Sequence, residues 1–347
     1  MSEIGDRKSS HLDLCANEDV EHRTRTLLDQ VHLLHEALPE LASDAVVLET
    51  QLLGRRLSAP IMISGMSGGT AEAGRLNRAL AGAAQKLGLA MGVGSQRAML
   101  LHPESGESYR VREVAPDVLL FANLGAVQAR DAGVARIADL VAGIGADALC
   151  IHLNAAQELV QDEGDRDFRG CLETIGKLAA QLPVPVVAKE TGCGFSPTTL
   201  ARLRGVGVTC VDVSGAGGTT WTGVEALRGS ERQRALGAEL REWGIPTAAS
   251  VVYAARAGLN VIASGGIRGA VDAAAALALG AHAVSLALPF FRAFNEGGLP
   301  GVVTFAERLI EGLRVVTLLT GAKRSSDLVR AARVIGPDLR TWIEVES

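Results

Sequence analysis

Aromatic side chains are scarce in this chain of 347 residues, at 3% of the total, so any large core must be built from aliphatic groups. Those are plentiful, because hydrophobic residues reach 48%. Cysteine is equally sparse: Cys15, Cys150, Cys171, Cys193 and Cys210 form an odd set with no CxxC pair and no metal-ligand spacing. That argues against a disulfide framework or a zinc site and for reduced thiols. Cys193, in the segment TGCG, is either a reactive thiol or a small loop residue, and the second is the ordinary reading. There is no excess of positive charge, the formal net charge being -5. Nothing in the bulk electrostatics therefore recruits nucleic acid or an anionic membrane, and any recognition of phosphate must be local. No apolar run is long enough to cross a bilayer, and the N-terminus MSEIGDRKSS is too polar for a signal peptide, so a cytoplasmic enzyme is expected. The Walker A sequence and the Rossmann glycine spacing are both missing, which argues against ATP hydrolysis and against a separate dinucleotide domain.

From Pro60 onward, short aliphatic runs alternate with amphipathic stretches. The runs are PIMISGM, LAMGVGSQ, DVLLFANLG, DALCIHLN, PVVAKE, VTCVDVSG, NVIASGG and AVSLALP. Their continuous apolar character suits parallel strands covered on both faces. Segments such as EAGRLNRALAGAAQKLG, ERQRALGAELREW and AVDAAAALALG read as the intervening helices. Eight such units predict an α/β fold, a (β/α)8 TIM barrel, over residues 60–347. Residues 1–59 lack this rhythm and read as a short helical N-terminal extension that contributes to the active-site mouth, with ALPEL before the turn residues Ser43 and Asp44.

Chemistry in such barrels collects where strands end, and the polar residues here follow that rule. Ser67 and Gly68 follow the first run; Ser95, Gln96 and Arg97 the second; Asn123 the third. His152, Asn154, Gln157 and Glu158 follow the fourth, Lys189 and Glu190 the fifth, and Asp212, Ser214 and Thr219 the sixth. Each has an ordinary explanation by itself, such as helix capping for Asn123 or ion pairing for Lys189. These six runs, with Ser264 in the seventh, end in polar side chains, and one shared mouth is the simpler account.

Three segments point to phosphate. SGGIR, Ser264 to Arg268, follows the seventh run and opens a helix, where free backbone N–H groups favour an anion; its partner is Ala287 to Pro289 after the eighth. GAGGTTW, Gly215 to Trp221, is either a flexible lid or a wall along a cofactor. RKSSH, Arg7 to His11, is either a solvated tail or a clamp whose Arg7 and Lys8 close over a phosphate. In HLNAAQE, Glu158 is either an Mg²⁺ ligand or an acid placed favourably at a helix start, and His152 either a site residue or a structural histidine.

Taken in order, RKSSH, ALPEL, GMSGG, GVGSQR, ANLGA, IHLN, QE, EGDRDF, KETGCG, GAGGTTW, GIPT and ASGGIR resemble the type 2 isopentenyl diphosphate isomerases, FMN-dependent barrel enzymes, over nearly the whole chain. The resemblance implies isomerisation of isopentenyl diphosphate to dimethylallyl diphosphate, with Mg²⁺ and with FMN kept reduced by NADPH or NADH. It implies flavin contacts at Met66, Ser67, Gly68, Ser95, Asn123, Lys189, Ser214 and Thr219, and phosphate-side contacts at Gly266, Ile267, Arg268, Ala287 and Leu288. Arg7, Lys8, His11, Ser95, Gln96, Arg97, His152, Asn154 and Gln157 match substrate-side positions, and Glu158 matches the metal ligand. The catalytic set would be Gln157, Glu158, His152 and Lys189. A homo-oligomer, tetrameric or octameric, is implied as well.

The chain departs from the family pattern with Ser67 for the usual threonine, Ser10 for an acid, and Ala155 and Ala156 for Pro-Leu. The last change bears on the loop that presents Gln157 and leaves a longer prenyl diphosphate open as the substrate. A second enzyme class is an FMN-dependent 2-hydroxyacid oxidoreductase, and a third reading is a prenyl-phosphate or flavin binder without turnover.

Overall fold

The computed structural model describes residues 3–344, and within it the side chains of residues 3–7 and 9 lie outside the description. All eight aliphatic runs form strands: β1 (Ile61–Ile63), β2 (Ala90–Gly92), β3 (Leu120–Gly125), β4 (Ala148–Leu153), β5 (Val186–Glu190), β6 (Cys210–Asp212), β7 (Asn260–Ser264) and β8 (Ala283–Leu286). They are parallel and close on themselves, with β8 pairing β1 through Val284 and Ile61, so the sheet has no free edge. Along β4 the side chains divide between two cores. Leu149 and Ile151 pack outward against the helices, while Cys150 joins Met62, Phe121 and Cys210 inside the barrel.

Six helices bear on the site: α1 (Glu3–Asn17), α2 (Ala71–Leu87), α3 (Ala155–Val160), α4 (Trp221–Arg228), α5 (Ala270–Ala278) and α6 (Leu288–Leu319). Their ends are set locally. The Thr70 hydroxyl caps α2 by accepting from Ala73 N, and Gly88 ends it at φ 63. Between these caps Ala73, Leu76, Leu80 and Ala84 recur at helical spacing and are buried. Thr220 caps α4 in the same way by accepting from Gly223 N.

Among its described residues the N-terminal segment contains a single α-helix. After α1 the chain runs through 3-10 turns and short strands, and ALPEL has no regular structure, consistent with Pro39 steering Leu38 away from helical angles. Val31–Leu33 pairs antiparallel with Arg333–Ile335 and ties this segment to the C-terminal part. The hairpin of Thr50–Leu52 and Arg55–Leu57 puts Leu52 and Leu57 into the inner core and plugs the barrel at the end where the strands begin. Chemistry is thereby confined to the other end. Among the described residues no helix is long and apolar enough to cross a membrane, and the five cysteines are free thiols.

Candidate active site

The strand exits surround a cavity of about 1550 Å³, counting the part open to solvent. Its lining draws on the end of each of the eight strands or on the loop that follows it, Ser95 and Arg97 coming after β2 and Ser214 and Thr219 after β6. The cavity brings together Met66, Ser67, Ser95, Arg97, Asn123, His152, Asn154, Gln157, Glu158 and Lys189 with the candidate phosphate residues Gly266, Ile267, Arg268, Ala287 and Leu288. Gln96, Gly68, Glu190 and Asp212 are not on its wall, and Glu190 instead accepts from the backbone N–H groups of Gly192, Cys193 and Gly194. Gln96 is fully buried and its amide is spent on the protein, accepting from Asn123 N at 3.1 Å and donating toward Leu140 O at 3.4 Å. Gly68 backs onto Tyr109, whose Cε1 lies 1.9 Å from where a Cβ would stand.

The phosphate end is a stack of backbones. Gly265 and Gly266 have φ of 97 and 72, and a Cβ on either would fall 2.2 Å from a carbonyl oxygen, that of Gly215 or Gly217. Only glycine permits this approach between the loops after β6 and β7. The loop leads into α5 and the β8 exit leads into α6, so two helix N-termini face the same region. The hydroxyls of Ser67 and Ser285 are buried, line the cavity and find no partner among the described residues, a condition that suits groups meeting a polar ligand. Arg268 is held from outside by Glu21, which accepts from its Nη2 at 2.9 Å and from Arg292 at 3.3 Å.

Three neighbouring strands set the charge in the middle. His152, Lys189 and Asp212 are register partners across β4, β5 and β6. Lys189 Nζ donates to Asp212 Oδ2 at 2.9 Å, and the Ser264 hydroxyl donates to the other oxygen of that fully buried carboxylate. Ser264 Oγ in turn accepts from the backbone N–H of Ser214, which stands at φ 35, rare for a residue with a side chain. Asn123 Nδ2 donates to Val93 O, so its Oδ1 is the acceptor and His152 Nδ1, at 2.9 Å, carries the proton. The imidazole is thus a neutral ring with Nε2 as an acceptor. Burial, with the positive charges of Lys189, Lys8 and Arg97, pushes its pKa down to about 4.

The fourth exit carries an amide and carboxylate network. Asn154 Nδ2 donates to Glu158 Oε1 at 2.9 Å, and Asp165 N donates to Glu158 Oε2 at 2.9 Å, fixing this buried acid at the wall. Gln157 Nε2 donates to Glu225 Oε1 at 2.9 Å, as does Gln161 Nε2 at 2.8 Å. His11 Nε2 meets the same oxygen at 2.9 Å, and Arg228 Nη1 donates to Oε2 at 3.0 Å. Burial raises the pKa of Glu225, yet His11, Gln157 and Arg228 outweigh it and hold the group below the usual glutamate value. Glu225 lies on α4, away from any strand end, so the strand-exit rule passes over it. Its one signal is an acid amid the apolar residues of WTGVEALRG.

Helix α1 lies across the mouth. Lys8, His11, Leu12 and Cys15 line the cavity at spacings of three, four and seven, one face of a helix. Lys8 is 9% exposed and donates to Ser95 O and Tyr109 Oη, each at 2.8 Å. His11 stacks edge-on against Trp221 at 5.3 Å. Arg97 faces the cavity without a hydrogen bond or ion pair to the described residues. The side chain of Arg7 lies outside the described residues. One carboxylate, Glu158, is the acid on this wall, and no cluster of three metal-binding side chains occurs among the described residues. A lone acid suits Mg²⁺, which keeps waters and substrate phosphate oxygens in most of its positions.

Residues 125–334 match the family model described as FMN-dependent dehydrogenase. Among solved structures, a mandelate oxidase carrying a monooxide FMN adduct superposes with a TM-score of 0.64 at 19% identity, covering 93% of this chain and 95% of that one. That likeness shows the fold. Curated relatives are nearer in sequence. The isopentenyl-diphosphate delta-isomerase of Thermococcus onnurineus is 43% identical over 97% of this chain and 93% of its own length. The proteins of that name from Halobacterium salinarum and Synechococcus are 44% and 51% identical, over 98% and 85% of this chain and 96% and 86% of theirs. With relatives 43% to 51% identical over 85% to 98% of its length, the chain belongs to the isopentenyl-diphosphate delta-isomerase family.

Proposed function

We propose that this chain isomerises isopentenyl diphosphate to dimethylallyl diphosphate, with FMN and Mg²⁺ as cofactors and NADPH or NADH as the source of reducing equivalents. The observation that carries the reading is a single cavity with two separate provisions for anions. One is the glycine stack and paired helix N-termini at β7 and β8, which suits the phosphate of a mononucleotide. The other is the group Lys8, His11 and Arg97 on a different sector of the rim, which suits a diphosphate. FMN fits the unpartnered hydroxyls of Ser67 and Ser285, with Met66, Asn123, Ser214 and Thr219 as further contacts. Reduced flavin, when bound, supplies an acid/base centre and an electron-rich ring for proton exchange at an unactivated alkene.

The residues then divide the work. Arg97 and Lys8 bind and orient the diphosphate, and Glu158 with Mg²⁺ neutralises it. Lys189, ion-paired with Asp212, places its ammonium on the cavity floor, which would favour an anionic reduced ring. His152, kept neutral, leaves Nε2 as an acceptor and adds no further cation. Gln157 is oriented by Glu225. Leu12, Leu288 and Phe291 give the mouth an apolar cover that excludes water, which a tertiary cation-like species requires.

Anaerobic incubation of the reduced flavoprotein with isopentenyl diphosphate and Mg²⁺, followed by product identification, tests the reading. Dimethylallyl diphosphate is expected, with none formed by the oxidised protein. Turnover confined to longer prenyl diphosphates would replace the substrate while keeping the chemistry. Bleaching of the flavin by a 2-hydroxy acid would make the chain an oxidoreductase.

A further inference from the structure

The loop after α3, residues 162–170, contains no helix or strand, yet it is moulded onto Glu158. The backbone N–H of Asp165 donates to Glu158 Oε2 at 2.9 Å, and the guanidinium of Arg166 donates to the carbonyls of Glu158 and Gln161. Those carbonyls lie at the C-terminal end of α3, where a helix supplies no donors of its own. A Cβ on Gly164 would fall 1.9 Å from Glu158 O, so only a residue without one lets the loop lie this close.

The neighbouring helix Ala126–Ala132, which follows β3, anchors the loop. Gln128 Nε2 donates to Asp165 Oδ2 at 2.6 Å, and Arg130 Nη1 donates to the carbonyls of Asp167 and Arg169 at 2.8 and 2.9 Å. Gln128 also lines the cavity, and its Oε1 rests on Gly125, 1.9 Å from where a Cβ would stand there. A chain of two bonds therefore runs from the third strand exit to the acid of the fourth, from Gln128 to the Asp165 side chain and from the Asp165 backbone to Glu158. Nothing in the function above gives Gln128 or Asp165 a part.

We infer that Gln128 and Asp165 are positioning residues that orient the Glu158 carboxylate toward a divalent cation. This rests on the reading of Glu158 as the Mg²⁺ ligand. Mg²⁺ demands near-octahedral directions at nearly fixed distances, so a carboxylate that turns freely binds it poorly. Asn154 holds Oε1 and Asp165 N holds Oε2, and each oxygen keeps a further lone pair for the metal. An irregular loop is only as steady as its anchors, and the Gln128 bond to the Asp165 carboxylate is a short, charge-assisted one.

The test uses the flavin-loaded full chain with inorganic pyrophosphate as the probe, and calorimetry gives the factor by which saturating Mg²⁺ tightens its binding. Being a ratio, that factor is insensitive to any direct contact of Gln128 with the probe. It should fall about three- to tenfold in Gln128→Leu and in Asp165→Ala, each of which breaks the chain of bonds. Asp165→Asn keeps an oxygen for Gln128 to donate to, so it should stay within about twofold of the parent. In the Glu158→Gln background, where the factor is lost, Gln128→Leu should change nothing more. In turnover, the Mg²⁺ concentration for half-maximal rate should rise in both disrupting variants. Two variants on different elements keep the test open should either fail to fold. A merely structural role would weaken pyrophosphate binding equally with and without Mg²⁺, and that result overturns the proposal. So does an unchanged factor in either variant. A loss in Asp165→Asn as large as in Asp165→Ala would make Asp165 a metal ligand itself and also overturns it. If Mg²⁺ does not tighten pyrophosphate binding to the parent, the metal reading of Glu158 fails and the proposal with it, a result distinct from a parent that responds and variants that respond equally.

Discussion

Glu225 on α4 accepts the side-chain amide of Gln157 at 2.9 Å, so a helix outside the barrel wall decides how the fourth strand exit presents its glutamine. The same oxygen serves Gln161 and His11, which couples the orientation of Gln157 to the docking of α1.

Replacing Glu225 by Gln keeps the shape but removes the charge and half of the accepting capacity. Each charge-assisted bond is worth about 1.5–3 kcal/mol, so turnover should fall at least about tenfold. Flavin content, which the proposed site assigns to the β7 and β8 exits, should stay at the parent level. Steady-state rates alongside the flavin absorbance of the purified variant check both halves.

Glu158→Gln should abolish the response of turnover to added Mg²⁺ while leaving flavin bound. The carboxylate is the acid on the cavity wall, and the amide cannot replace its charge toward a hard cation. A magnesium titration of parent and variant reads this directly. An unaltered response would remove Glu158 from the metal site.

The depressed pKa of His152 fixes a sign for stability against pH. Its folded value, about 4, lies below the ordinary histidine value of 6.5 that it takes when unfolded. Between these values the unfolded chain binds more protons, so stability from the neutral imidazole is complete above about pH 6.5 and is lost as pH falls toward 4. Thermal unfolding of the parent should therefore weaken over that window more steeply than that of His152→Gln. Parallel curves for the two proteins would contradict the assignment of a neutral, buried ring.

Lys189→Met should destabilise the fold strongly, by about 3–5 kcal/mol, because it strands the fully buried carboxylate of Asp212. Adding Asp212→Asn should recover much of that loss. Chemical denaturation of the single and double variants measures it. If the pair matters only for stability, the double variant should also regain turnover; if Lys189 supplies charge beside the flavin, turnover should stay low while stability returns.

The parts of this protein that were legible in its sequence are those governed by neighbours along the chain. A buried parallel strand needs a short aliphatic run, so PIMISGM through AVSLALP announced the barrel. A tight backbone approach at a strand exit needs glycine, so SGGIR announced the glycine-rich loop after β7. The polar residue closing each run lies at the mouth because strand direction puts it there, and that placed Asn123, His152 and Lys189 correctly on the cavity wall. Adjacent residues still part ways. Arg97 reaches the cavity while Gln96 turns into the wall, because Gln96 is the residue before the helix Arg97–Leu101 and Arg97 is its first, a change of direction that composition does not encode. Glu225, Tyr109 and the seating of α1 were decided only by the tertiary structure. Their partners lie 68, 101 and 214 residues away along the chain, in the contacts of Glu225 with Gln157, Tyr109 with Lys8 and His11 with Glu225. A buried carboxylate or phenol takes its role from whatever polar group the fold brings within hydrogen-bonding distance, and that is settled by closure of the barrel and the docking of its helices.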